Sequence, residues 1–156
     1  MIDARDAEAF LAHQRFAVVG ASDKPDSFGR TILHELATRG KDVVAVHPGA
    51  ATVDDRPCYP DLASVPGELD GVIVMVNRDK AADVVRACID RGVPRVWLFK
   101  GVGGSGAVSD EAMALCHEHG IDVVAGACPL MFADPVGWFH RVHRGARRLN
   151  GSLSRA

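Results

Sequence analysis

Five short stretches carry most of the branched apolar residues: Phe16-Ala17-Val18-Val19-Gly20, Asp42-Val43-Val44-Ala45-Val46, Gly71-Val72-Ile73-Val74-Met75-Val76, Arg95-Val96-Trp97-Leu98-Phe99 and Ile121-Asp122-Val123-Val124-Ala125. They are near-continuous apolar runs rather than alternations, the pattern of strands buried on both faces. The segments between them read as helices near 29–39, 79–91 and 109–119, with terminal helices near 5–13 and 135–149. Asp79 and Ser109 are the expected N-caps. Three helices run into a glycine and then a strand, at Gly40, Gly92 and Gly120, where a left-handed residue closes a helix and a nearby cation suits its dipole.

Strands alternating with helices build βαβ units. The expected fold is α/β: a single Rossmann-like, doubly wound domain, with a mainly parallel five-stranded sheet and helices on both faces. Residues 1–156 form one domain, with a core over 15–128 and a C-terminal docking helix and tail over 129–156. The proline-containing stretch from Pro48 to Leu69 is expected to be a long connection with at most one short helix, around Asp61-Leu62-Ala63-Ser64.

Composition narrows the classes. The chain has 156 residues, 47% hydrophobic and 24% charged, with a formal net charge of −2. These are the proportions of a globular protein, and no global positive field draws the chain to nucleic acid or anionic membrane. The longest unbroken apolar run is far too short to cross a bilayer. Cys58, Cys88, Cys116 and Cys128 are widely spaced. They read as reduced thiols in a cytoplasmic protein rather than a disulfide or zinc framework.

The candidate chemistry lies after the first strand, in Gly20-Ala21-Ser22-Asp23-Lys24-Pro25-Asp26-Ser27-Phe28-Gly29-Arg30. A doubly wound fold binds phosphates there, on backbone N–H groups and a helix N-terminus. Ser22 and Ser27 supply hydroxyls; Lys24 and Arg30 supply charge. The spacing is not the G-x-G-x-x-G of an NAD site. The second strand ends Val46-His47-Pro48 instead of in the carboxylate an NAD ribose uses.

These motifs resemble the small single-domain coenzyme A-binding proteins, whose fold is similar to the N-terminal CoA-binding domain of the succinyl-CoA synthetase alpha subunit. The resemblance is carried by Val18-Val19-Gly20-Ala21-Ser22, Val46-His47-Pro48, Cys58-Tyr59-Pro60-Asp61-Leu62, Asp70-Gly71-Val72-Ile73-Val74, Val96-Trp97-Leu98-Phe99-Lys100-Gly101 and Cys128. It implies that Gly20, Ala21 and Ser22 lie along a pyrophosphate and that His47 and Pro48 sit near the adenosine ribose. Val76, Asn77 and Arg78 would flank adenine, and Lys100 and Gly101 would border the pantetheine arm. The family usually has Asn where this chain has His47. Related domains carry a lysine after the following proline, where this chain has Gly49-Ala50-Ala51. Lys24, Arg30 or Arg78 is then left to meet the 3′-phosphate.

The remaining constellations are weaker. Cys128 could face the ligand's thiol end, but buried free cysteine is common. Gly103-Gly104-Ser105-Gly106 reads as a flexible loop over the ligand. His117 and His119 point to different helix faces, and His140 and His143 lack a nearby carboxylate or cysteine, so no metal is expected. The C-terminal basic stripe reads as a docking helix with a solvated face. The expected function is non-covalent binding of CoA or an acyl-CoA, as a carrier, sensor or regulator without its own catalysis. No nucleic-acid or membrane partner is expected, and a homo-oligomer stays open. The alternatives are an NAD(P)-binding oxidoreductase or redox sensor and, third, an acyl-transfer enzyme using Cys128.

Overall fold

The computed structural model describes residues 3–102, 104 and 106–133. The C-terminal helix expected over 135–149, with Trp138, His140 and His143, lies outside them. Four α-helices are described: α1 (Ala4–Leu11), α2 (Phe28–Thr38), α3 (Arg78–Asp90) and α4 (Asp110–Glu118). Seven strands are described: β1 (Arg15–Val19), β2 (Asp42–Val46), β3 (Thr52–Val53), β4 (Arg56–Tyr59), β5 (Gly71–Val74), β6 (Arg95–Phe99) and β7 (Asp122–Ala127).

The seven form one sheet in the order β3-β4-β2-β1-β5-β6-β7. Only β3 runs antiparallel to its neighbour. The six parallel strands run outward in both directions from the β1/β5 boundary, which is the 3-2-1-4-5-6 order of a dinucleotide-type doubly wound sheet. Where the winding reverses, at β1 and β5, the two following connections leave on opposite faces and open a crevice at the strands' carboxyl ends.

Each central strand buries both faces, as its unbroken apolar run predicts. Phe16, Val18, Ile73 and Trp97 pack with α1 and α2 through Phe10, Leu11, Ile32, Leu33 and Leu36. Ala17, Val19, Val72, Val74, Val96 and Leu98 face α3 and α4 through Ala81, Val85, Cys88, Ala112 and Cys116. Trp97 is fully buried, and its indole N–H donates to the Ala127 carbonyl at 2.9 Å. That bond fixes the end of β7 against β6.

The sheet has two more strands than the five expected. Both lie in the connection after Pro48, as a hairpin of β3 and β4. The connection also carries a single 3-10 turn at Leu62–Ser64, close to the short helix expected there. The hairpin turn is Asp54-Asp55, with φ of +52° and +59°. Positive φ at both central residues makes a type I′ turn, which usually advertises itself with Asn-Gly or Asp-Gly. Two-residue β3 and the proline at position 57 hide the strands further. Asp54 holds the strained turn in place. Its backbone N–H donates to Asp23 at 3.1 Å, and its carboxylate meets His34 Nδ1 at 2.9 Å and pairs with Arg56. The His34 hydrogen bond first, then the charges of His34, Arg56 and Arg30, hold Asp54 below the usual carboxylate range.

The helix ends follow the sequence signals with one correction. Gly40, Gly92 and Gly120 each close a helix with paired bonds to the last turn, for example Gly40 N–H to Ala37 and Lys41 N–H to Leu36. Ser109 caps α4 by accepting from Ala112 N–H. Asp79 does not cap α3; Asn77 occupies the cap, and Asp79 lies inside the first turn. Asn77 is still extended (φ −62°, ψ 153°) while its carbonyl already accepts the Lys80 N–H at 2.9 Å, so the first turn is under way before Asp79.

Candidate functional site: a cleft at the β1/β5 boundary

A cleft of about 550 Å³ opens over the carboxyl ends of β2, β1 and β5. Its floor and rim come from Val19, Gly20, Val46, His47, Pro48, Met75, Val76 and Asn77. One wall is a single stripe of α3: Lys80, Asp83, Val84 and Ala87. Their spacing of three and four residues puts them on one helix face. The facing wall is Pro60, Asp61 and Leu62, from the connection after β4.

That second wall is tied down from below. Arg91, just past the end of α3, donates to the carbonyls of Leu62, Val65 (2.6 Å) and Gly67. Asp61 accepts from Ser64 N–H at 2.8 Å and Ser64 Oγ–H at 2.7 Å, so the Ser64 bonds keep its carboxyl below its ordinary range. Asp83 pairs with Arg86 at 2.9 Å. His47 accepts the Gly49 N–H on Nδ1 at 3.0 Å, which leaves Nε2 as the donor nitrogen of the neutral ring.

The glycine loop is tight for reasons internal to the protein. Gly20 has φ +101°, and a Cβ there would lie 2.9 Å from the Met75 carbonyl oxygen. Gly29 lets α2 descend onto the loop: a Cβ there would lie 2.7 Å from Ala21 Cα. Together they bring β1, β5 and the start of α2 as close as backbone allows, and the cleft forms at that junction.

Residues 14–134 match the family described as the CoA binding domain. The chain belongs to that family. Among its relatives, this CoA binding domain is 28% identical over 117 residues to acetate–CoA ligase (ADP-forming) I of Archaeoglobus fulgidus, an alignment spanning 72% of this chain and 17% of the ligase. The chain thus spans under a fifth of that relative's length. An uncharacterized protein of Bacillus subtilis is 25% identical over 124 residues, covering 78% of this chain and 86% of its own. Among solved structures, a hypothetical protein from Pyrococcus horikoshii superposes with a TM-score of 0.77 at 26% identity, covering 85% of this chain and 91% of that one. A dinucleotide forming acetyl-coenzyme A synthetase of Ca. Korarchaeum cryptofilum gives 0.62 at 29% identity, covering 71% and 25%.

The twelve residues singled out by the sequence divide in this CoA binding domain. Gly20, His47, Pro48, Val76 and Asn77 line the cleft. Ala21 is fully buried beneath α2. Ser22 borders the loop, but its N–H is already bonded to Ser27 Oγ at 3.2 Å. Ser27, expected to offer a hydroxyl donor, instead accepts two N–H groups as the N-cap of α2, the other from Arg30 at 3.3 Å. Lys24 and Arg78 are exposed and outside the cleft lining. Arg30 is drawn toward the hairpin, with Nε 3.5 Å from Asp23 and Nη2 3.8 Å from Asp54. Lys100 and Gly101 follow β6, away from the cleft lining; the Ala107 N–H folds their loop back onto the Phe99 carbonyl at 2.8 Å. Gly103 and Ser105 lie outside the described residues.

Lys80, Asp83, Pro60, Asp61 and Leu62 were not singled out as site residues. The signal for Lys80 and Asp83 was their place on the exposed-to-cleft face of a helix that starts directly after a strand. Cys128 is 2% exposed and packs in the core. Among the described residues, no group of three or more His, Cys, Asp or Glu is arranged to hold a metal, and no helix is long and apolar enough to cross a membrane.

Proposed function

We propose that the protein binds coenzyme A or an acyl-CoA non-covalently in the cleft at the β1/β5 boundary. The observation that carries this reading is the coincidence of that cleft with the reversal point of a doubly wound sheet in a CoA binding domain. Ligands of open α/β sheets bind at such a point. The naming of a relative as an acetate–CoA ligase supports the same ligand. The pyrophosphate lies at Gly20, where the backbone is bare of side chain, and the adenosine end lies between His47-Pro48 and the α3 wall. The role is that of a carrier, sensor or regulator. In support, three polar side chains of the cleft are held by neighbours within the chain: His47 Nδ1 by Gly49, Asp61 by Ser64 and Asp83 by Arg86.

A nicotinamide dinucleotide is the second reading, and Asp61 and Asp83 favour it. The second strand ends in His47, but these two carboxylates enter the cleft from other elements and could accept bonds from ribose hydroxyls. Thermal melts separate the two. A ligand of the native state adds about 2.7 kcal/mol at a hundredfold excess over Kd. For a domain of this size that is on the order of 5–10 °C. CoA is expected to raise Tm by that amount and NAD at equal concentration to do so far less. A larger shift with NAD or NADP overturns the CoA assignment.

A further inference from the structure

We infer that Lys80 reads a phosphate monoester on the bound nucleotide, the 3′-phosphate that distinguishes coenzyme A from dephospho-CoA. The inference rests on the CoA reading of the cleft. Lys80 is the one Lys or Arg among the described residues lining that cleft. Its ammonium makes no ion pair or hydrogen bond among the described residues, while both carboxylates of the cleft are engaged, Asp61 by Ser64 and Asp83 by Arg86. The three cations that sequence alone offers for this task are placed elsewhere: Arg30 stands between Asp23 and Asp54, and Lys24 and Arg78 are outside the lining.

The chemistry selects the monoester over the pyrophosphate. Each phosphate of a pyrophosphate diester carries a single charge, and the bare backbone at Gly20 is suited to it. A monoester carries close to two charges at neutral pH, with a second pKa near 6. Lysine is a compact point charge on a flexible stem, which matches a single terminal phosphate. Its position supports the same end of the ligand. Lys80 stands on the α3 wall with Asp83 and Val84, and the adenosine end that carries this phosphate is the end proposed to lie between that wall and His47-Pro48.

The test is titration calorimetry of CoA and dephospho-CoA against the wild type, Lys80→Met and Lys80→Arg. Lys80 is exposed, so folding is expected to be intact in both variants, and an unchanged melt without ligand checks it. The wild type is expected to prefer CoA by roughly tenfold, the lower end for a charge-assisted bond because solvent screens an open cleft. Lys80→Met should lose that preference by weakening CoA alone, and Lys80→Arg should keep most of it. The preference should also shrink below about pH 6, as the monoester takes up a proton. Equal weakening of both ligands in Lys80→Met would mean that Lys80 meets the pyrophosphate, and no weakening would mean that it meets neither; each overturns the inference while leaving CoA binding in place. If the wild type binds neither ligand, the CoA reading itself falls.

Discussion

Gly20 and Met75 approach so closely that a single added carbon on Gly20 would sit 2.9 Å from the Met75 carbonyl oxygen. The Met75 N–H meanwhile donates to Val19 at 2.8 Å, so β1 and β5 are locked together at this level. The glycine is therefore required by the sheet before any ligand arrives. Gly20→Val places a β-branched residue at φ +101° against a backbone carbonyl that cannot rotate away. The expected cost is on the order of 2–4 kcal/mol, combining backbone strain with overpacking. A denaturant melt should show it without ligand. Loss of CoA binding in this variant would report a disturbed β1/β5 junction as well as a blocked phosphate site. An unchanged melt would show that the loop can move off Met75.

Ser27 is a second case in which a residue expected to face phosphate serves the loop itself. Its Oγ accepts from Arg30 N–H and from Ser22 N–H, stitching the two ends of the β1–α2 turn together. Ser27→Ala strips both acceptances and is expected to cost about 1 kcal/mol, the usual effect of losing an N-cap. If ligand phosphate displaces the hydroxyl from these N–H groups, Ser27→Ala should lower unliganded stability while CoA affinity holds or improves. A fall in affinity larger than the fall in stability would make the hydroxyl a direct ligand contact.

The doubly wound sheet was legible because both faces of the central strands are buried, so the apolar runs are unbroken, and because Gly40, Gly92 and Gly120 mark three helix ends. The hairpin was not, because β3 and β4 are held by contacts of Asp54 with Asp23, His34 and Arg56, two of them distant in sequence. The candidate site was half legible for the same reason. Residues that follow a strand directly, such as Gly20, His47 and Val76, are placed by the strand that precedes them. Lys80 and Asp83 reach the cleft only because α3 is capped at Asn77 and turns that face inward, and Asp61 only because Arg91 pins its connection. Arg30 looks like a phosphate ligand in sequence and is instead claimed by the hairpin.

Asp70 predicts an acid-side weakness. Its Oδ2 accepts the N–H groups of Arg15 at 2.8 Å and Gln14 at 3.0 Å, capping the entry to β1. These bonds, Arg15 first, hold its carboxyl below the usual carboxylate range. A carboxyl whose folded pKa lies below its unfolded value contributes stability that is present above the unfolded pKa and lost as pH falls through the folded one. Asp70 is therefore expected to support the fold fully above about pH 5 and to lose that contribution below about pH 4. Asp70→Asn should lower stability at pH 7 by roughly 1–3 kcal/mol, because an amide oxygen accepts less strongly than a carboxylate. The gap between variant and wild type should narrow progressively as the pH falls below about 4. A gap that stays constant with pH would mean that the side chain's shape, and not its charge, holds β1.

The four cysteines give the sharpest check on the proposed non-covalent binding. All are buried. Burial pushes the Cys88 thiol up to about 12 and Cys116 to about 11, and it raises Cys58 as well. At pH 8 almost none of these thiols is ionised, and thiolate is the reactive form. Cys128, the sequence's candidate to face a ligand thiol, follows β7 outside the cleft lining and is 2% exposed among Leu130, Met131 and Phe132. A disulfide reagent is therefore expected to modify the native protein slowly, through unfolding, and the denatured protein at once. CoA, by stabilising the native state, should slow modification of all the thiols in parallel. Cys128→Ser should leave CoA affinity unchanged while costing about 1–3 kcal/mol for an added hydroxyl in an apolar site. Rapid stoichiometric labelling of Cys128 alone, blocked by CoA, would reverse the conclusion and put the thiol at the end of the bound pantetheine.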